Sequence, residues 1–580
     1  MPVHNSDIAN KFKRVADLLA IAGGNRFRIR AYRNASQTIR SLSRNVAHMV
    51  ERDEDLTQLE GIGEDLAEKI AEMVNTGRLR QLQELEQENP AELVDALRIE
   101  GLGPKRIKQL HEELGIKTIE DLKEAAQSGK IQEVEGFGEK IQRKIMEDIE
   151  AAGKEERRTK LSVAEEIVKP LIDYLANGEG VVRVTAAGSY RRRKETVGDI
   201  DILVVARDGE TTMEHFLNYE DVGEVAAKGD TKSTVYLRTG LQVDVRVVPE
   251  ESYGAALHYF TGSKEHNVAI RERGIKRDLK INEYGVFEGS EGRRVAGASE
   301  EAVFKSVDLP YITPELRENR GEIRAAAEGN LPDLIRLEDL RGDLHSHTQA
   351  TDGHYSLEEM ARAAQEKGYD YLAISDHSKR VSMVNGLDAR RLEKQIGQIE
   401  ELNRKFQDFQ LLKSIEVDIL EDGSLDLPDQ ILSRLDMVIA AVHSRFNLPE
   451  EEQTKRITRA VENPLVSVLA HPTGRMIGER EPYEVDLEKV MEAAKKHHCA
   501  MELNASPQRL DLTDYHCKMA KEKGVKVVIS TDSHRLDNLD WMRYGIWQAR
   551  RGWLEAEDVL NTRNWAQIRG LLAPDVKHTG

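Results

Sequence analysis

Between residues 341 and 575 the short apolar runs YLAIS, MVIAAV, VSVLA, AMELN and KVVIS alternate with helix-like segments, and nearly every run leads into His, Asp or Glu. Apolar runs of this length separated by amphipathic helices are read as parallel strands with crossover helices, and a series of such units builds a βα barrel. Residues that follow the strands of a barrel converge on one mouth. His345, His347, Asp352, His377, Glu416, His443, His471, Asp532 and His534 are therefore expected to meet there. One such histidine is ordinarily a satisfied polar residue, whereas nine in the same structural position suit a metal centre. Cys499 and Cys517 are the only cysteines, so a thiolate cluster and a disulfide framework are both excluded. An imidazole-rich set suits manganese or zinc better than magnesium. His354 lies nearby without an assigned role, and Arg475 in HPTGR is a candidate for a substrate phosphate or a barrel salt bridge.

A chain of 580 residues is too long for one ordinary domain. Its net charge of -19 argues against non-specific polyanion binding by the whole molecule. Residues 1–50 reverse that balance, with Lys11, Lys13, Arg14, Arg26, Arg28, Arg30, Arg33, Arg40 and Arg44 against Asp7 and Asp17. Such a patch attracts phosphate backbones. A repeat follows: LEGIGEDLAEKI, IEGLGPKRIKQL and VEGFGEKIQRKI each place Gly-x-Gly before a helix-like segment. Gly61 and Gly63, Gly101 and Gly103, and Gly136 and Gly138 would let backbone pass close to a phosphate, with free N–H groups at the next helix start. No basic-then-apolar leader opens MPVHNSDIANKF and no 18 apolar residues run together. The expectation is a cytoplasmic, nucleoid-associated protein without membrane contact.

GDIDILVV carries Asp199 and Asp201 one residue apart on an apolar strand, so both carboxylates leave the same face. Two such charges about 4 Å apart repel by roughly 4 kcal/mol at an effective dielectric near 20. Divalent metal removes that cost, and Asp244 in LQVDVRVV supplies a third carboxylate on a polar strand face. Three carboxylates on adjacent strands can hold two magnesium ions, one activating a hydroxyl and one neutralising a leaving phosphate. Upstream, Gly188 and Ser189 form a turn suited to a triphosphate, with Arg192 as counter-charge.

The repeats resemble the helix-hairpin-helix motif, which grips DNA backbone without reading sequence. GSYRR followed by GDID resembles the nucleotidyltransferase palm of family X DNA polymerases, the polymerase beta group, over roughly residues 1–320. The resemblance extends to HYFTGSKEHNVAIR, where it implies a nucleotide pocket with Tyr259 and Phe260 as sugar gate, Gly262 beside them, and Asn267 and Arg271 near base and template. By the same match Lys69 stands where the family forms a Schiff base with an abasic-site sugar. Asp65 replaces a basic phosphate contact of the family's lyases, and Gln242 replaces an arginine. The C-terminal ligand set is similar to the polymerase and histidinol phosphatase (PHP) domain, whose barrel binds up to three metals and hydrolyses phosphoesters.

The expected fold is multidomain α+β and α/β. A helical lyase-like DNA-binding domain (1–90) precedes helix-hairpin-helix fingers (91–155), a mixed-sheet palm (156–250), a thumb with nucleotide pocket (251–320), a linker (321–340) and a distorted TIM-like barrel (341–575). The resemblance implies template-directed filling of short gaps in base excision repair, with dNTPs, gapped or primer-template DNA as partner, and a monomeric state. The barrel would act as a 3′-5′ exonuclease on damaged ends, with AP endonuclease and lyase steps as additions. Two rival readings are a barrel phosphoesterase whose polymerase half only binds DNA, and a non-catalytic scaffold. Template-independent addition shares the palm chemistry.

Overall fold

The computed structural model describes residues 5–41, 46–59, 61–89, 91–99, 102–138, 141–143, 145–146, 158–289 and 292–572. Its contacts divide into two units. The first comprises Met1–Thr159, Val163–Gly180 and Asp208–Val245; the second comprises Lys160–Ser162, Val181–Arg207 and Arg246–Gly580.

In the first unit, Ile8, Phe12, Val15 and Leu19 recur at helical spacing and bury one face of the helix Asn5–Ala22. That face packs with Tyr32, Ile39, Ile70, Met73 and Leu110 in one core, and Phe12 meets Tyr32 edge-on at 5.5 Å. The Gly-x-Gly repeats lead into helices as the sequence predicts: Gly63 caps Glu64–Thr76 and Gly103 caps Pro104–Leu114. Gly61 and Gly136 adopt positive φ, at 73° and 85°, which fits glycine at those turns. The same unit holds an antiparallel pair, Val222–Ala227 with Lys232–Leu237, in which Val225 faces Val235.

In the second unit, Val181–Ala186 pairs antiparallel with Asp199–Ala206, Val184 opposite Val204. Val197 and Gly198 lead directly into that strand, whose interior residues Ile202, Leu203 and Val204 are fully buried. The chain from 279 to 296, within the segment expected as the thumb, forms three antiparallel strands. Asn282 accepts hydrogen bonds from the N–H groups of Tyr284 and Gly285 and fixes the tight turn between the first two. The segment read as a linker, 321–340, is also folded: Glu322–Glu328 is helical, and Ala326 and Leu334 join the core of Phe304 and Ile312.

Parallel strands Gly342–Ser346, Tyr371–Ile374 and Gln410–Lys413 form one sheet of the barrel. Glu416–Asp418, Ile439–Ala441, Val468–Leu469, Ala500–Asn504 and Val527–Ser530 form the other. Bridges from His377 to Glu416 and from Ser346 to Ser533 join them at both seams. Nearly every residue of these strands is buried, as expected for parallel strands covered by crossover helices. The break at Ser414 and Ile415 divides what would be one strand in two, and it sets Glu416 at a strand start rather than beyond a strand end.

Candidate metal centre and nucleotide pocket

The barrel mouth gathers all nine residues singled out in its sequence. His345 and His347 leave the first strand two residues apart, and their Nε2 atoms approach to 3.1 Å. Asp532 Oδ1 lies 3.0 Å from His347 Nε2 and 3.6 Å from His345 Nε2. Asp352 Oδ2 is 3.3 Å from both His377 Nε2 and His534 Nε2. Glu416 sits centrally, with His377 Nδ1 at 2.7 Å, His471 Nε2 at 2.9 Å and His443 Nε2 at 3.2 Å. Their ligand atoms form three groups that could each hold a metal ion: His347, Asp352, His377 and His534; His345, His347 and Asp532; and His377, Glu416 and His443.

Electrostatics fit the same reading. Burial alone would lower the pKa of His345, yet Glu502, Asp532 and Glu416 overcome it and hold the imidazole well above its ordinary value. Burial also works against His377, which Glu416 and Asp352 raise. Glu416 shows the converse: burial pushes its carboxyl up, and His377, His443 and His345 hold it far below the usual range. His347 is lowered by burial and by His534 and His377 beside it. His347 Nδ1 is buried without a hydrogen-bond partner, which a native core rarely tolerates, and Glu416 Oε2 faces His377 Nδ1 at 2.7 Å in poor hydrogen-bond geometry. A cation among them would satisfy both atoms and separate the facing imidazole nitrogens.

Two carboxylates here were not among the sequence candidates. Glu502, fully buried on Ala500–Asn504, accepts from His345 Nδ1 at 2.7 Å, Ser530 Oγ at 2.6 Å and the His471 N–H at 2.6 Å. Asp418 lies 3.2 Å from His443 Nδ1. Each lies against the nitrogen turned away from the cluster, the usual arrangement of a carboxylate that orients a histidine ligand. Both lie within strands, where sequence alone does not separate them from other buried polar residues. Among the described residues Arg475 pairs not with the cluster but with Glu195, in a bidentate contact at 2.6 and 3.1 Å; it forms a salt bridge as the second alternative expected, but to a residue of the 156–250 segment rather than within the barrel. His354 is half-buried and lowered to about 4 by burial, Arg535 and His534.

In the nucleotide-pocket segments, Gly188 has φ of 60° and begins the short helix Gly188–Arg191 rather than an open turn. A Cβ there would lie 2.6 Å from Asp201 Oδ2, so the turn is pressed against that carboxylate. Arg192 donates from Nε to Glu318 at 2.9 Å and from Nη1 to the Thr261 carbonyl, against Gly262. Phe260 stacks on Tyr259 edge-on at 5.0 Å and lies under the Arg246 guanidinium at 4.3 Å. Asn267 donates to the Tyr259 carbonyl at 2.7 Å, and Arg271 is exposed. Asp244 belongs to the first unit, where Gln242 donates to it at 3.0 Å and Thr234 also binds it. Asp199 and Asp201 belong to the second. Lys69 pairs with Asp65 one helical turn away. At Gly63, Gly103, Gly136 and Gly138 an added Cβ meets nothing within 4 Å, leaving open backbone; Gly101 lies outside the described residues.

A helical DNA-gripping region, a nucleotidyltransferase strand pair and a histidine-lined barrel together define a polymerase joined to a metal-dependent phosphoesterase domain. Comparison with known families agrees. The chain matches a helix-hairpin-helix domain over 3–79, a SAM-like helix-hairpin-helix tandem over 92–151 and the DNA polymerase beta palm over 157–250. The DNA polymerase beta thumb matches over 256–318 and the PHP domain over 343–506. Bacillus subtilis (strain 168) DNA polymerase/3′-5′ exonuclease PolX is 39% identical over 572 residues, 98% of this chain and 99% of that protein. Probable phosphatases of Thermoanaerobacter sp. (strain X514) and Clostridium acetobutylicum are 35% and 32% identical, each across 33% of this chain and 78% of their own length. The chain belongs to the family X DNA polymerases that carry a C-terminal PHP domain. No helix among the described residues is long and apolar enough to cross a membrane.

Proposed function

We propose that the chain is a two-site DNA repair enzyme that extends primers across short gaps on a template and trims damaged 3′ ends, as in base excision repair. The observation that carries the reading is the convergence of nine His, Asp and Glu side chains in a chain that also holds the polymerase palm strands. Its partners are dNTPs and gapped or primer-template DNA, gripped through the open Gly-x-Gly backbones, and it acts as a monomer in the cytoplasm at the nucleoid.

In the palm, Asp199, Asp201 and Asp244 would hold two Mg2+ ions, which lower the charge of the triphosphate and activate the primer hydroxyl when bound. Gly188 and Ser189 offer backbone N–H groups to the phosphates, and Arg192 offers a guanidinium. Tyr259 and Phe260 border the sugar, while Asn267 and Arg271 serve base and template. In the barrel, the nine residues would hold up to three Mn2+ or Zn2+ ions, which polarise a phosphodiester and activate water when bound. Glu502 and Asp418 keep the Nδ1 protons of His345 and His443 directed outward, so that Nε2 lone pairs face the centre. AP endonuclease activity would use this same centre. For a lyase step Lys69 must first leave Asp65, and borohydride trapping on abasic DNA with Lys69→Ala as control tests that step.

A 5′-labelled primer in one-nucleotide-gapped DNA with manganese, with and without dNTPs, tests the proposal. Asp199→Ala/Asp201→Ala should lose extension alone, and His345→Ala/His347→Ala should lose shortening alone. Shortening by the wild type without extension would leave the barrel as the sole enzyme, an arrangement suggested by the phosphatase relatives, which match 33% of this chain. Loss of neither activity in either variant would refute both sites.

A further inference from the structure

The segment that carries Gly188, Ser189 and Arg192 is held by a helix of the C-terminal domain. Arg551, the last residue of Met542–Arg551, donates from Nη1 to the Arg192 carbonyl at 2.8 Å and to Glu318 Oε1 at 3.0 Å. Its Nη2 donates to Asp514 at 2.6 Å. Glu318 in turn accepts from Arg192 Nε at 2.9 Å. Side-chain exposure is only 3% at Arg551, 11% at Arg192 and 12% at Glu318, so solvent screens the chain of contacts weakly. One turn earlier on the helix, the Trp547 ring lies 4.0 Å from the Arg193 guanidinium and fixes the neighbouring residue.

Arg192 is therefore pinned at two nitrogens, Nε by Glu318 and Nη1 by the Thr261 carbonyl. Its Nη2 has no hydrogen-bond acceptor among the described residues. A guanidinium held in this way has already lost its rotamer freedom and presents one free edge to an anion.

We infer that Glu318 and Arg551 are positioning residues for nucleotide binding: the C-terminal domain orients Arg192 so that Nη2 is presented to the triphosphate of the incoming dNTP. The inference rests on the proposed reading of Arg192 as a phosphate contact. It makes the nucleotide affinity of the polymerase site depend on a residue of the phosphoesterase domain, 359 positions away in the chain. The bridge needs a fork. Arg551 reaches Asp514, Glu318 and the Arg192 carbonyl from two nitrogens, which a single ammonium cannot reproduce.

The test is steady-state gap filling by the full chain at varied dNTP, comparing wild type, Arg551→Met and Arg551→Lys. Shortening without dNTPs reports that each variant is folded. Both variants should raise KM for dNTP at least about fivefold with kcat within about twofold of wild type, the pattern of lost ground-state binding. KM unchanged in both would overturn the inference. Recovery in Arg551→Lys alone would overturn it too, because charge rather than orientation would then be the cause. If Arg551→Met fails to fold, Arg551→Lys decides between raised and unchanged KM. Raised KM in the Arg551 variants but not in Arg192→Gln would refute Arg192 as the phosphate contact, and the inference with it. No extension by the wild type would remove the polymerase reading itself.

Discussion

Replacing Glu502 by Gln probes the centre without touching a candidate ligand. Glu502 accepts from four donors, His345 Nδ1 and Ser530 Oγ at Oε1 and the His471 N–H and Asn504 Nδ2 at Oε2. A glutamine of the same shape has one acceptor oxygen, so its amide nitrogen must face at least one of these donors. Leaving a buried donor without an acceptor costs about 1–3 kcal/mol, and replacing a charge-assisted bond by a neutral one costs further. His345 then loses its fixed orientation, and the expected loss is roughly ten- to a hundredfold in manganese affinity. Titration of the metal-free protein with Mn2+, following the free ion by electron paramagnetic resonance, reads this directly. Equal affinities for Glu502→Gln and wild type, with both folded, would refute the argument that Glu502 orients His345.

Metal loading should also rise with pH. His345, His377, His443 and His534 are all raised above 6.5 by neighbouring carboxylates against the opposing effect of burial, so the metal-free centre carries protons that ligation must expel. Mn2+ affinity should therefore keep climbing above pH 6.5, and a plateau below that value would refute the assignment. Gly188→Ala places a Cβ 2.6 Å from Asp201 Oδ2 and adds about 1–2 kcal/mol of left-handed strain. It should abolish extension and leave 3′ shortening intact in the primer assay. Gly103→Ala meets no neighbour in the protein, so melting should move little while DNA binding weakens in a gel-shift titration. Glu300 is buried, which would raise its pKa, yet Arg191 and Arg317 hold it at about 2 instead of 4.5. It contributes roughly 3 kcal/mol above pH 4.5, lost as pH falls toward 2. The melting difference between wild type and Glu300→Gln should shrink across that window.

The strand-ending histidines were legible because they obey local rules. Period-two alternation puts His345 and His347 on one side, and apolar runs of strand length announce the ends at which His443, His471, Asp532 and His534 follow. Gly-x-Gly before a helix is equally local, since positive φ at Gly61 and Gly136 is a property of the residue itself. The meander at 279–296 was hidden because its strands are four residues each, too short to show a period.

Sequence by itself determined the βα alternation of the barrel and which side chains gather at its mouth, since both follow from spacing and residue type. Only the tertiary structure decided what each charged group does. Arg475 pairs with Glu195 rather than with the metal centre, Glu502 meets His345, and Arg551 reaches Glu318. These partners lie 280, 157 and 233 positions apart, and no periodicity links such residues. Their pairing is set by barrel register and helix docking, which bring together residues distant in the chain and reduce the solvent screening between them.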